Sequence, residues 1–294
     1  MKILITGANG QLGTQLINII KNMKSELGYI NKAYEKAEVI GIDIENLDIS
    51  NLEAVKEYIN KVMPDIIINA AAYTNVDGCE ANMETAFKAN SIGPRNLAIA
   101  AEEIKAKLIH ISTDYVFSGV GTEAYREYDV PNPQSVYGKT KLLGEEYIRE
   151  FSSRYFIVRT AWLYGYNGKN FVKTILKAAK EKGSLEVVDD QRGNPTNAED
   201  LAHHLLKLAV SEEYGLYHCT GSGECSWYDF AVKIVEYANL NCKVTPIKSD
   251  KLSRAAKRPA FSSLDNMMLR STSQDEMRQW EDALREFVNN LAEI

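Results

Sequence analysis

Cysteine is scarce in this 294-residue chain, with only Cys79, Cys219, Cys225 and Cys242. None forms a C-x-x-C pair or stands at metal-ligand spacing to the few histidines, so neither a disulfide framework nor a metal site is expected. The thiols read as reduced and mostly buried, and the expected location is the cytoplasm. Long apolar runs are missing too: none approaches the ~18 residues a membrane span needs, so no membrane partner is expected. The opening Met1–Thr6 runs straight into a turn and is too short for a signal peptide. Positive charge is in deficit, with 34 Lys and Arg against 40 Asp and Glu and a formal charge of −6, which argues against a nucleic-acid partner.

What is present is ordinary globular material, 45% apolar and 25% charged, in a length that suits one large core with an appended lobe. Ile3-Leu4-Ile5 reads as a short strand, and Leu16, Ile17, Ile19 and Ile20 recur at helical spacing. Between them lies Thr6-Gly7-Ala8-Asn9-Gly10-Gln11-Leu12-Gly13. Glycines at 7, 10 and 13 let the backbone turn sharply and approach a ligand, while the following helix offers free N–H groups to a pyrophosphate. A second strand, Glu38–Ile42, ends at Asp43, whose carboxylate suits an adenosine ribose and would repel the extra phosphate of NADP. Residues 24–37 read as an extended helix or a surface insertion. Asp48-Ile49 is placed to meet an adenine, or to be a loop ahead of a helix cap.

Asp65–Asn69 reads as a buried parallel strand, and the small Ala70, Ala71 and Ala72 with Tyr73 and Thr74 at its exit leave room for a cofactor. After a helical stretch from Glu84 through Ala101, Lys107–Ile111 leads to Ser112-Thr113-Asp114. The alternation predicts an α/β fold, a Rossmann-like doubly wound sheet that binds ligands at the carboxyl ends of its strands. Tyr137 and Lys141 then lie one turn apart on one helix face. A phenol free in water titrates near pH ~10, and a fixed cation close by is expected to lower that value. The constellation suggests a keto reductase in which Tyr137 is the general acid, Lys141 holds the phenol's pKa down, and Thr113 hydrogen-bonds the oxygen as charge develops.

Gly7 to Gly13, Asn69-Ala70-Ala71-Ala72, Ser112-Thr113-Asp114 and Tyr137 to Lys141 together resemble the extended short-chain dehydrogenase/reductase family. Finer strings, Ser112 to Phe117, Arg159-Thr160-Ala161-Trp162-Leu163-Tyr164-Gly165 and Asp190 to Thr196, resemble its dTDP-4-dehydrorhamnose reductase branch over nearly the whole chain. The resemblance implies NADH or NADPH as cofactor and a dTDP-sugar as substrate. It implies cofactor contacts from Gly10, Gln11, Leu12, Asp43, Asp48, Ile49, Ala72, Tyr73, Thr74, Tyr137 and Lys141, and sugar contacts from Thr113, Asp114 and Trp162. Trp162 reads either as core or as a flat wall for a sugar. Arg258, beside Pro259 in a basic group, reads either as solvated surface or as a cation for the substrate's diphosphate. Some relatives form magnesium-bridged dimers, but Gln15 stands where some of them carry a carboxylate, so no metal is expected. Residues 1–160 are expected to form the nucleotide-binding domain. Residues 161–294 are expected to form mainly a substrate lobe, with or without segments that return to the first core, closing on an amphipathic helix over Gln274–Ile294, in a monomer or homodimer.

Overall fold

The computed structural model describes residues 1–272 and 274–292. In chain order its first half runs β1 (Lys2–Thr6), α1 (Gln11–Asn22), β2 (Glu38–Ile42), α2 (Leu52–Val62), β3 (Ile66–Asn69), α3 (Val76–Ala81), α4 (Met83–Phe87), α5 (Gly93–Glu103), β4 (Lys107–Thr113), α6 (Val136–Phe151) and β5 (Tyr155–Thr160). Its second half adds α7 (Phe171–Glu181), β6 (Ser184–Val188), α8 (Ala198–Ala209), β7 (Gly215–His218), α9 (Trp227–Tyr237), β8 (Lys243–Ile247), α10 (Met267–Thr272) and α11 (Trp280–Ala292).

Six strands form one parallel sheet in the order β7-β5-β4-β3-β1-β2. Unbroken apolar runs such as Ile66-Ile67-Ile68 are what a sheet covered on both faces requires. On one face Ile3, Ile5, Ile68 and Ile109 pack with Leu16 of α1 and Leu205 of α8. On the other, Leu4, Ile67 and Leu108 pack with Ile59 of α2, Leu97 of α5 and Ile148 of α6. This is the doubly wound α/β architecture, and the strand order reverses beside β1, where such sheets open a crevice. The register sets Thr6 opposite Asn69 and Asn69 opposite His110. With side chains alternating along each strand, the three share the face covered by α6.

The stretch 24–37 is an insertion rather than a longer helix. Met23 adopts a left-handed φ of 55° that ends α1, and Lys24–Ser25 then pairs with Gly28–Tyr29 as a small hairpin. Tyr34 anchors the insertion by donating its hydroxyl to Leu206 O of α8 at 2.7 Å. The helical stretch from residue 84 is α4 and α5 joined by a π-turn over Lys88–Ile92, where Asn90 Oδ1 accepts the Tyr73 N–H at 2.8 Å.

In the second half, β6 and β8 pair in parallel, and α7, α9 and α11 pack around Phe230, Leu284 and Phe287. From this lobe β7 returns to the main sheet beside β5, and α8 covers the sheet face. The helix expected from Gln274 begins at Trp280, because Gln274 takes a left-handed φ of 62° and Asp275 Oδ1 accepts the Met277 N–H in a tight turn. Residues 293–294 of that expected helix lie outside the described residues.

Candidate active site

A cleft of about 800 Å³ opens at the carboxyl ends of β1, β2, β3, β4 and β5. Its floor is the turn after β1. Gly7 has a left-handed φ of 69°, and a Cβ there would lie 2.8 Å from the backbone of Ala70 and Ala71. A Cβ on Gly13 would lie 2.2 Å from Gly7 O, so the turn and α1 meet only because both residues lack side chains. Gly10 caps α1 without a side chain, which leaves the first-turn N–H groups free to meet a phosphate. Gln11, Leu12 and Gly13 line the cleft beside it.

Asp43 stands at the end of β2, where its Oδ2 accepts the Asn9 N–H at 2.9 Å and ties β2 to the glycine turn. Asp48 and Ile49 continue the wall. Asp48 Oδ1 accepts the Ser50 N–H at 2.9 Å, and Asn51, not Asp48, caps α2. Ala70, Ala71, Ala72, Tyr73 and Thr74 form the side next to β3. The cradle therefore fits a dinucleotide: room for backbone approach, helix N–H groups for the phosphates, and a carboxylate at the second strand.

Thr113, Asp114, Tyr137 and Lys141 line the same cleft. Thr113 ends β4, where its hydroxyl donates to Asp114 Oδ1 at 2.9 Å and accepts the Tyr115 N–H at 3.2 Å. Ser135 caps α6 by accepting the Gly138 N–H, which starts the helix at Val136, one residue before Tyr137. The Tyr137 ring meets Tyr115 edge-on, with centroids 5.5 Å apart.

The electrostatics differ from the sequence expectation. Burial pushes the Tyr137 phenol up, a hydrogen bond with Thr113 partly offsets this, and the nearby Asp114 adds to the rise. Lys141 is held by other partners. Its Nζ turns into the sheet, donating to Ile111 O at 2.5 Å and lying 3.2 Å from His110 Nε2. Burial pushes Lys141 down to about 8, with Glu145 pulling the other way. Burial also raises Asp114 to about 6, and among the described residues its Oδ2 meets no hydrogen-bond partner. Behind Lys141, Glu145 takes paired bonds from Arg159 at 2.9 and 2.7 Å and one from Ser112 at 2.5 Å.

Trp162 reaches the cleft on a left-handed φ of 47°. Its ring is sandwiched: Trp227 stacks on it at 3.5 Å and 7°, and a Cβ on Gly193 would come within 2.7 Å of its indole. An edge, not a free face, is thus what Trp162 offers a ligand. Trp227 lines the cleft as well. Its signal was present but local: Ser226 and Asp229 form the capping box that aims it from the first turn of α9. Lys88 and Thr85 also line the cleft and carried no signal. Arg258 is elsewhere. Its Nη2 pairs with Asp77 Oδ2 at 2.8 Å, and it borders a separate cavity of about 260 Å³ beyond Tyr115. Gln15 Nε2 donates to Glu199, which also accepts the Glu26 N–H of the insertion hairpin.

Residues 1–293 match the family model described as RmlD substrate binding domain. A dTDP-4-dehydrorhamnose reductase structure from Clostridium acetobutylicum superimposes with a TM-score of 0.93 at 47% identity, covering 99% of this chain and 100% of the other. A second, from Bacillus anthracis in complex with NADP, gives 0.92 at 42% identity, covering 98% and 99%. The spore coat polysaccharide biosynthesis protein SpsK of Bacillus subtilis is 40% identical over 98% of this chain and 96% of its own length.

Proposed function

The chain belongs to the RmlD substrate binding domain family, and on that premise we propose that it reduces the 4-keto group of dTDP-4-dehydro-L-rhamnose to dTDP-L-rhamnose. It is an NAD(P)H-dependent oxidoreductase, using NADH or NADPH. The observation that carries this reading is the meeting of Thr113, Tyr137 and Lys141 with the glycine turn in a single cleft.

A dinucleotide held by the glycine turn, Asp43 and the Ala70–Thr74 wall would supply the hydride for the carbonyl carbon. Tyr137 hands its phenolic proton to the carbonyl oxygen as negative charge builds there. Burial keeps that phenol protonated, which is the state a general acid must start in. Thr113 steadies the oxygen, and Asp114, which lines the cleft beside it, accepts from a sugar hydroxyl. Lys141 returns a proton to Tyr137. The Trp162 and Trp227 edges bound the hexose side, and Asp43 holds the adenosine ribose. Arg258 reaches the substrate's diphosphate only by leaving Asp77. Dehydration is disfavoured because Tyr115, not an acid, follows Asp114. We place the reaction in the cytoplasm, in the supply of deoxysugar for cell-surface polysaccharide, by a monomer or homodimer.

Purified protein mixed with the 4-keto sugar nucleotide and NADH or NADPH is expected to consume one reduced cofactor per sugar. Sugar conversion without net cofactor loss would replace the reading with epimerisation, and no conversion at all with a co-purifying partner would replace it with a regulatory subunit.

A further inference from the structure

The register that aligns Thr6, Asn69 and His110 across β1, β3 and β4 builds a buried polar row ending at Lys141. None of the four is more than 2% exposed. The direction of each hydrogen bond follows from one fixed donor. The Ala71 backbone N–H can only donate, and it donates to Asn69 Oδ1 at 3.2 Å. Thr6 Oγ1 donates to the same oxygen at 2.7 Å. The amide nitrogen of Asn69 is thereby turned toward His110 Nδ1, 3.0 Å away, and an amide nitrogen cannot accept. His110 Nδ1 is the acceptor. A neutral imidazole then carries its one proton on Nε2, which faces Lys141 Nζ at 3.2 Å.

An N–H aimed at an amine is satisfied only by the lone pair of the uncharged form, and an ammonium there meets hydrogen with hydrogen. We propose that His110 is a positioning residue that holds Lys141 ready to give up its proton, its tautomer locked by Asn69. The proposal rests on the proton-return role of Lys141 given above. In that step Tyr137 loses its proton to the product oxygen, the ammonium of Lys141 gives one to the phenolate, and the amine left behind places its lone pair on the Nε2–H of His110. A proton from solvent restores Lys141 before the next turnover. The other charged and titratable neighbours are arranged to allow this. Glu145, one turn along α6, favours the ammonium but is paired with Arg159, while Tyr137 and Asp114 lie on the cleft side. His110 itself stays neutral, pushed well below the usual histidine range by burial and by Lys141.

The test needs no substrate. In ligand-free protein labelled with 13C at the lysine ε-carbons, the Lys141 signal, identified by its loss in Lys141→Arg, is followed against pH. His110→Gln puts an amide nitrogen in the place of Nε2 and is expected to keep the wild-type midpoint. His110→Met removes the donor and is expected to raise the midpoint by about one pH unit or more. Asn69→Ala, which frees the ring to exchange tautomers, is expected to shift it in the same direction and serves if His110→Met does not fold. The alkaline limb of the kcat profile should follow these midpoints. Equal midpoints in wild type, His110→Met and Asn69→Ala, or equal shifts in His110→Gln and His110→Met, would overturn the proposal. Because the midpoint is read without substrate, failure of the reductase reading would show separately, as absent turnover with the shifts intact.

Discussion

Tyr137 and Lys141 sit one helical turn apart, yet different neighbours govern their protons. The phenol answers to Thr113 and Asp114, the amine to His110, Ile111 and Glu145. Tyr137→Phe is therefore expected to bind cofactor as before and lose about 10²–10⁴-fold in turnover, read by dihydronicotinamide consumption alongside a binding titration. Full turnover would take Tyr137 out of the chemistry. A second residue governs stability. Burial, and then Glu26, raise Glu199 from 4.5 to about 7, so between these values the folded chain holds a proton that the unfolded chain has released. Stability should decline as pH climbs from about 4.5 to about 7, and Glu199→Gln should flatten that slope in urea titrations at several pH values. The Tyr/Lys spacing and the glycines were legible in the sequence because their meaning is local. The direction in which Lys141 points was not, since it depends on a carbonyl and an imidazole about 30 residues away, brought near only by the sheet.

At the scale of the element, α6 is what aims the candidate acid, and it lies unusually close to its neighbours. A Cβ on Gly138 would stand 2.2 Å from Tyr115 O, and one on Gly144 would stand 2.3 Å from Asn90 O in the π-turn. Gly144→Ala should push the helix outward, costing about 1–3 kcal/mol of stability and lowering turnover at the same time. Thermal unfolding paired with kinetics checks this, and a loss of stability with turnover intact would show that α6 holds its aim elsewhere. Strands and helices of the first half were readable because buried parallel strands are apolar throughout and their helices carry a clean amphipathic period. The hairpin inside the 24–37 stretch, which the sequence offered as an extended helix or a surface insertion, and the turn at 274–279 were not. Each is set by a left-handed residue, Met23 and Gln274, whose backbone no periodicity announces.

At the scale of the whole molecule, Arg278 joins three distant parts of the chain. It pairs with Asp200 of α8, with Glu26 of the hairpin and with Glu286 of α11. Asp200 is 1% exposed, so Arg278→Met would leave its charge buried without a partner and should cost about 3–5 kcal/mol, measurable as a lower urea midpoint. An unchanged midpoint would mean that solvent or another cation reaches Asp200. Sequence patterns show which stretches are helices but not which distant stretches share one cation, because such a pairing has no period. The return of β7 to the edge of the main sheet has a further consequence in time. A growing polypeptide emerging from the ribosome holds five of its six strands long before the last is synthesised, and β5 must wait with one side unpaired until residues 215–218 arrive. A nascent chain arrested near residue 170 should thus remain open to protease and chaperone, whereas one extended well past residue 220 should close.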